Sequence, residues 1–357
     1  MRHHLALMRG AAMLEEIEAL PGAERKAMTN PVLVEVTRSD AIESLHRGAI
    51  AIADAQGRLV HAIGDVAAPL YPRSALKPLQ AIPLLTSGAA ETFGLGDKEL
   101  ALACASHSGE PFHVEAVAGW LARIGASEVD LACGPHPPLN DGAAAALAQM
   151  ALSPTRLHNN CSGKHTGFLS VAKKIGAPFA GYEAPEGPVQ SLVKEAIRHF
   201  CAFDPSTLPP ALDGCQAPAF RLPLVHLAQG MARFATGQNL PAVEADAAAK
   251  LLRAMRARPD YVAGHGRLCT RLIPRLADGI IKSGAEGTYA AALPGLGLGV
   301  ALKIDDGAKR AAELALIASL VHLGALPADQ LKPIPVLNTR GIAVGECRAA
   351  SWRWVLP

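Results

Sequence analysis

The stretch SALKPLQAIPLL, residues 74–85, governs the reading of everything around it. Ser74 and Lys77 stand three positions apart, a spacing that places a hydroxyl and an amine on one face of a helix. A serine hydroxyl attacks poorly without a base beside it, and a lysine serves as that base when burial or a neighbouring cation lowers its pKa. Taken alone, the pair is equally served by a helix cap and a surface lysine. Its meaning depends on what flanks it.

Upstream lie three strand patterns, Val32 to Val36, Gly48 to Ala53 and Leu59 to Ile63, with Asp54-Ala55-Gln56-Gly57 as the hairpin turn between the last two. From Ser74 the pattern predicts a helix running to about Gly88. Ala-rich helical stretches follow at Lys98 to Ala105, Glu110 to Ile124, Gly142 to Ala151, Gly163 to Ile175, Pro188 to Phe200 and Ala242 to Arg258. Strand patterns return at Asp278 to Lys282, Thr288 to Leu293, Leu298 to Ile304 and Ile334 to Asn338, with a helix at Ala308 to Leu323. Strands at both chain ends and helices between them predict an α+β (mixed α/β) fold. One sheet is assembled from residues 31–63 and 278–338, and a helical region, 74–275, is inserted into it.

Two further elements extend the Ser–Lys pair. Lys282-Ser283-Gly284 ends a late strand in the K-[ST]-G format, and Ser106-His107-Ser108 falls between two helices, where serine acyl enzymes carry an S-x-N triplet. The order and the split sheet match serine β-lactamases and penicillin-binding proteins, although the middle element lacks its Asn. Together they predict a serine acyl-transfer site.

Composition narrows the partner. Half of the 357 residues are hydrophobic and 18% are charged, which excludes a disordered chain. The formal charge of +2 leaves no electrostatic footprint for nucleic acid or an anionic membrane, so a small molecule is the expected partner. No apolar run is long enough to cross a bilayer. Residues 1–27 carry Arg2, His3 and His4, then Arg9 and Glu15, Glu16 and Glu18, which fits no signal peptide; they are set apart as an N-terminal extension, with the catalytic domain at 28–357. Seven cysteines, at 104, 133, 161, 201, 215, 269 and 347, argue for reduced thiols in a cytoplasm rather than a disulfide framework.

The segment HNNCSGKHTG, residues 158–167, lacks the first glycine of a phosphate loop and has His165 where that loop needs Ser or Thr. Cys161, His165 and the later Cys215 have side chains suited to zinc, while a loop capping a helix at Gly163 explains the same residues structurally. His107, His113, His136, His226 and His265 stand isolated and read as structural histidines.

These segments, with CASHSGEPFHVEAVAGWLARIG (104–125), DGCQAPAFRLPL (213–224), MRARPDYVAGHGRLCTRL (255–272) and KSGAEGTYAAAL (282–293), resemble the bacterial type II, or rhizobial-type, L-asparaginase family from about Pro31 to Pro357. The resemblance implies a β-lactamase-like fold, hydrolysis of L-asparagine to aspartate and ammonia, and a homodimer. It implies two Ser–Lys pairs, Ser74 with Lys77 and Ser106 with Lys282. It implies a zinc ion, held by Cys161, Lys164 and Cys215, that organises the pocket without activating water. Asn160 and His165 are implied as substrate contacts, and Arg73 as the partner of the substrate α-carboxylate. Ser74 is the expected attacking residue, with Ser106 as the alternative. Gln216 departs from the family where a small residue is expected. Two other functions compete: a serine hydrolase acting on β-lactams, D-Ala peptides or esters, and a non-catalytic amino-acid-binding homologue.

Overall fold

The computed structural model describes residues 29–352 and 354. The proposed N-terminal extension lies outside the described residues. Eight strands form one antiparallel sheet: β1 (Val32–Arg38), β2 (Ala41–Asp54), β3 (Leu59–Ile63), β4 (Ile280–Ser283), β5 (Thr288–Leu293), β6 (Leu298–Ile304), β7 (Ile334–Leu337) and β8 (Ala343–Ala349). The spatial order is β7-β8-β1-β2-β6-β5-β4, with β3 also paired to β2. Both chain ends therefore supply the sheet, as expected, and the helical region enters between β3 and β4.

Strand β2 joins the two halves. Its first part pairs with β1, from Arg38↔Ala41 to Val32↔Arg47. Its second part pairs with β6 from Gly48↔Ile304 to Asp54↔Leu298, and with β3 from Ile50↔Ile63. The second part is buried throughout, while the first is largely exposed. This explains why only Gly48 to Ala53 carries a clear apolar signal; the polar residues of Ala41–Arg47 hide a strand.

Helix α7 (Leu224–Thr236) packs on β2, β5 and β6, and α9 (Lys309–His322) packs on β1, β5, β6 and β8. β5, covered by α7 and α9, and β4 beside it are buried at every position, a pattern that reads as an apolar run instead of an alternation. Each fully buried Ile or Leu there contributes about 1.5–3 kcal/mol. The sequence pattern misses α7, because Gly230 in its middle and the Leu222-Pro223 entry both argue against a helix. It also misses β8, whose Gly345 and Glu346 interrupt an otherwise apolar strand.

The helix expected from Ser74 to Gly88 is broken. Arg73–Leu76 is a tight 3₁₀ turn, followed by the short helices α1 (Lys77–Gln80) and α2 (Ile82–Thr86). Pro78 and Pro83 each stand in the first turn of their own helix, where a missing N–H costs nothing, and each prevents one continuous hydrogen-bond ladder. The helices α3 (Asp97–Ala103), α4 (Pro111–Arg123), α5 (Ser162–Ile175), α6 (Pro188–Cys201) and α8 (Ala242–Ala257) fall within a few residues of their predicted positions.

Candidate active site

The site forms where the first helical turn meets the end of β4. Gly284 makes that approach possible: a Cβ at this position would lie 2.5 Å from the Pro72 carbonyl oxygen. Lys282, on β4, is therefore brought against the turn carrying Ser74 and Lys77. Between them stands Ser106, at the end of α3, its backbone N–H donating to Val262 O at 3.0 Å.

Both lysines converge on that serine. Lys77 Nζ lies 3.0 Å from Ser106 Oγ, and Lys282 Nζ lies 3.0 Å from the same oxygen. Lys77 also donates to Ala105 O at 2.5 Å and to Cys161 Sγ at 3.1 Å, while Lys282 donates to Ser283 O at 2.8 Å. All three side chains are buried. Burial, and then the like charge of Lys77, lower the Lys282 amine to about 7, so it is largely neutral just above neutral pH. Ser74 is placed differently. It is half-buried and makes no side-chain hydrogen bond among the described residues, to Lys77 or to any other group. It lines a small pocket together with Arg73, Lys77, Lys164 and Asp213.

On the other side of Lys77 lies the thiol cluster. Cys161, just before α5, accepts from Lys77, and its thiol donates to Asn160 Oδ1 at 3.1 Å. Lys164, one turn into α5, donates to Cys215 Sγ at 3.1 Å. A hydrogen bond from Cys161 and the charge of Lys164 hold the Cys215 thiol far below its usual range, against the opposing effect of burial. Burial also opposes the charge on Lys164, but Cys215 and Cys161 outweigh it and raise the amine's pKa. His165 meets the Tyr182 hydroxyl through Nδ1 at 2.6 Å, and burial lowers its pKa to about 4. Its Nε2 is buried with no hydrogen-bond partner, on a ring whose charge responds to Cys215.

Two thiols, one of them held as thiolate, and a buried orphan imidazole nitrogen form a donor set that suits zinc. Against this, no group of three or more His, Cys, Asp and Glu side chains is arranged to hold a metal ion among the described residues. The Lys164 amine, held protonated beside Cys215, coordinates a metal only after losing its proton. All seven cysteines are free and buried. Away from the cluster, burial pushes Cys104 and Cys201 up to about 12, which makes them inert thiols.

Arg73 is the residue expected to meet the substrate α-carboxylate. Its guanidinium is already engaged by Asp213, with Nη2 2.8 Å from Oδ1 and Nε 3.1 Å from Oδ2. Asp213 stands two residues before Cys215, and no local pattern marks it as the partner of Arg73. Gln216, noted as a departure, has φ of 72°, a left-handed conformation that favours glycine. His107 and His113 are buried and stacked 4.9 Å apart, as structural histidines are expected to be.

The model of the family described as L-asparaginase II matches residues 34–349. No curated protein matches the chain in sequence. Among solved structures, Mglu in its native form is similar at 15% identity and a TM-score of 0.43, over 77% of this chain and 63% of that one. This chain thus spans less than two thirds of that protein's length. A β-lactamase from Mycobacterium bovis is similar at 15% identity and a TM-score of 0.42, over 88% of this chain and 99% of that one. A putative β-lactamase from Bacteroides dorei follows at 13% identity and 0.38, over 72% and 84%.

Proposed function

The chain belongs to the L-asparaginase II family, and from that premise we propose that it hydrolyses the side-chain amide of L-asparagine to L-aspartate and ammonia. The observation that carries the reading is the pair of lysine amines 3.0 Å from one buried serine hydroxyl, beside a second serine that lines a small pocket. Amide hydrolysis needs a nucleophile for the carbonyl carbon and a proton for the departing nitrogen.

Ser74 is the attacking residue in this proposal, because it lines the pocket while Ser106 is buried. Its proton passes to Lys77; substrate closes that gap, since catalytic hydrogen bonds often tighten only in the complex. Lys77, an ammonium with three hydrogen bonds to give, makes room for that proton by handing one of its own to Ser106 in the same step, while Ser106 gives its proton to Lys282, the amine that burial keeps close to neutral. The same chain run backwards protonates the leaving nitrogen, so ammonia departs from a β-aspartyl ester on Ser74. Water attacks that ester and restores the serine. Asn160 and His165, which flank Cys161 and Lys164 in the chain, are the proposed substrate contacts. Zinc, held by Cys161, Lys164 and Cys215, would supply a fixed positive charge that orders the pocket wall. A homodimer in a cytoplasm completes the proposal. Among the described residues no helix is long and apolar enough to cross a membrane.

The test has two parts. Ammonia release is measured on asparagine, glutamine and a β-lactam, with and without added zinc. The acyl-enzyme is then trapped and located by peptide mass. Label on Ser74 supports the assignment, label on Ser106 transfers the nucleophile, and label on neither rejects covalent catalysis.

A further inference from the structure

Two cations around the site have no anion beside them: Lys77, which is buried and held by Ala105 O, Ser106 Oγ and Cys161 Sγ, and Arg267. Arg73 is paired with Asp213, Lys164 with Cys215, and Lys282 is relieved by approaching neutrality. Arg267 is half-buried and has neither a hydrogen bond nor an ion pair from its guanidinium among the described residues.

Its position is built from the site itself. Val262 O receives the Ser106 N–H at 3.0 Å, and Ala263 O receives the Ser108 hydroxyl at 2.7 Å. Glu110 accepts from the His265 N–H at 2.9 Å and meets the His265 ring Nδ1 at 2.6 Å. Gly264 lies between these ties with φ of 105°, and a Cβ there would stand 2.5 Å from Glu110 Oε1 and 2.7 Å from Ser108 Oγ. The chain reverses through this turn, and Arg267 N closes back on Gly264 O at 3.4 Å. The segment that grips the Ser106 backbone therefore ends in Arg267. Its charge acts on Lys282, His107 and Tyr289, three groups on separate segments.

We propose that Arg267, in place of Arg73, receives the α-carboxylate of the amino-acid substrate. A guanidinium offers a planar fork that matches a carboxylate in two parallel hydrogen bonds, and a half-buried cation with no anion beside it gains most from one. The carboxylate supplies the anion that Arg267 lacks, and the segment carrying Arg267 is tied to the Ser106 backbone through Val262 O. Arg267 thereby selects α-amino acids over simple amides. The inference rests on the asparaginase reading for its substrate, but not for its test.

The experiment compares wild type with Arg267→Gln and Arg267→Lys. β-Alaninamide is asparagine without its α-carboxylate, and succinamate keeps the carboxylate but lacks the ammonium. Arg267→Gln should raise KM for asparagine about 10- to 100-fold with kcat within a few-fold, and Arg267→Lys should recover part of that loss. Turnover of β-alaninamide should be unchanged by either. Equal losses on asparagine and β-alaninamide, or a fall in kcat alone, overturn the proposal. Calorimetry with succinamate gives a readout independent of catalysis. Binding by wild type that is lost in Arg267→Gln supports the assignment; wild type that binds no succinamate, or a folded variant that binds it equally, rejects it. Wild type that releases no ammonia from asparagine but shows the succinamate pattern overturns the asparaginase reading and keeps Arg267 as a carboxylate site.

Discussion

Lys282 and Lys164 are both buried, at 0% and 4% exposure, yet their protons are held in opposite senses. The Lys282 amine is lowered to about 7 by burial and by Lys77, whereas the Lys164 amine is raised by the thiols of Cys215 and Cys161. Burial penalises the charge in both places. What differs is the neighbour: a cation and a neutral hydroxyl on one side, an anionic sulfur on the other. One half of the site therefore stores a base, and the other stores a fixed charge or a metal ligand set.

Removing the base should have the largest effect. Lys282→Met is expected to lower kcat about 10²- to 10⁴-fold while the protein stays folded by circular dichroism. A loss below tenfold would show that Lys77 alone carries the proton. In wild type the lowered pKa sets the sign of the pH dependence. The amine is protonated below about 7, so kcat/KM should rise with pH through an ascending limb centred there. A limb centred near 10 would mean that Lys282 is not the proton acceptor.

The next test removes the anion from the other half. Cys215→Ala leaves Lys164 buried without a counter-charge, and should destabilise the fold by about 3–5 kcal/mol in chemical denaturation. The double variant Cys215→Ala, Lys164→Met should recover most of it, since an apolar side chain needs no partner. Dialysis against a chelator should lower the wild-type midpoint if zinc is held there, and leave the double variant unmoved. The smallest effect is expected at Gln216, whose left-handed backbone sits beside Cys215. Gln216→Gly should stabilise the protein by about 1 kcal/mol or less, because the relief of strain is partly offset by chain entropy. A destabilised variant would indicate that the side chain supports the loop.

Much of the architecture could be read from the chain, because buried strands announce themselves as short apolar runs. The exceptions have physical reasons. The first half of β2 is exposed, Gly230 interrupts α7, and β8 mixes Gly345 and Glu346 into a half-buried strand. At the site, the residue types were legible because a serine needs a base and zinc needs soft donors. The partnerships were not. A straight helix would pair Ser74 with Lys77, but Pro78 and Pro83 break it, and Lys77 reaches Ser106 instead. Asp213 engages Arg73 across 140 positions, a contact no local pattern announces.

The chain by itself determined the inventory: two serines, three lysines and two cysteines in an order that fits an antiparallel sheet with a helical insertion. Tertiary structure alone decided which amine faces which neighbour, and therefore which is poised to take a proton and which to keep one. Sequence carries chemical identity at each position. A pKa and a charge balance depend on distances between segments from 29 to 176 residues apart, and those are set only when the chain folds around them.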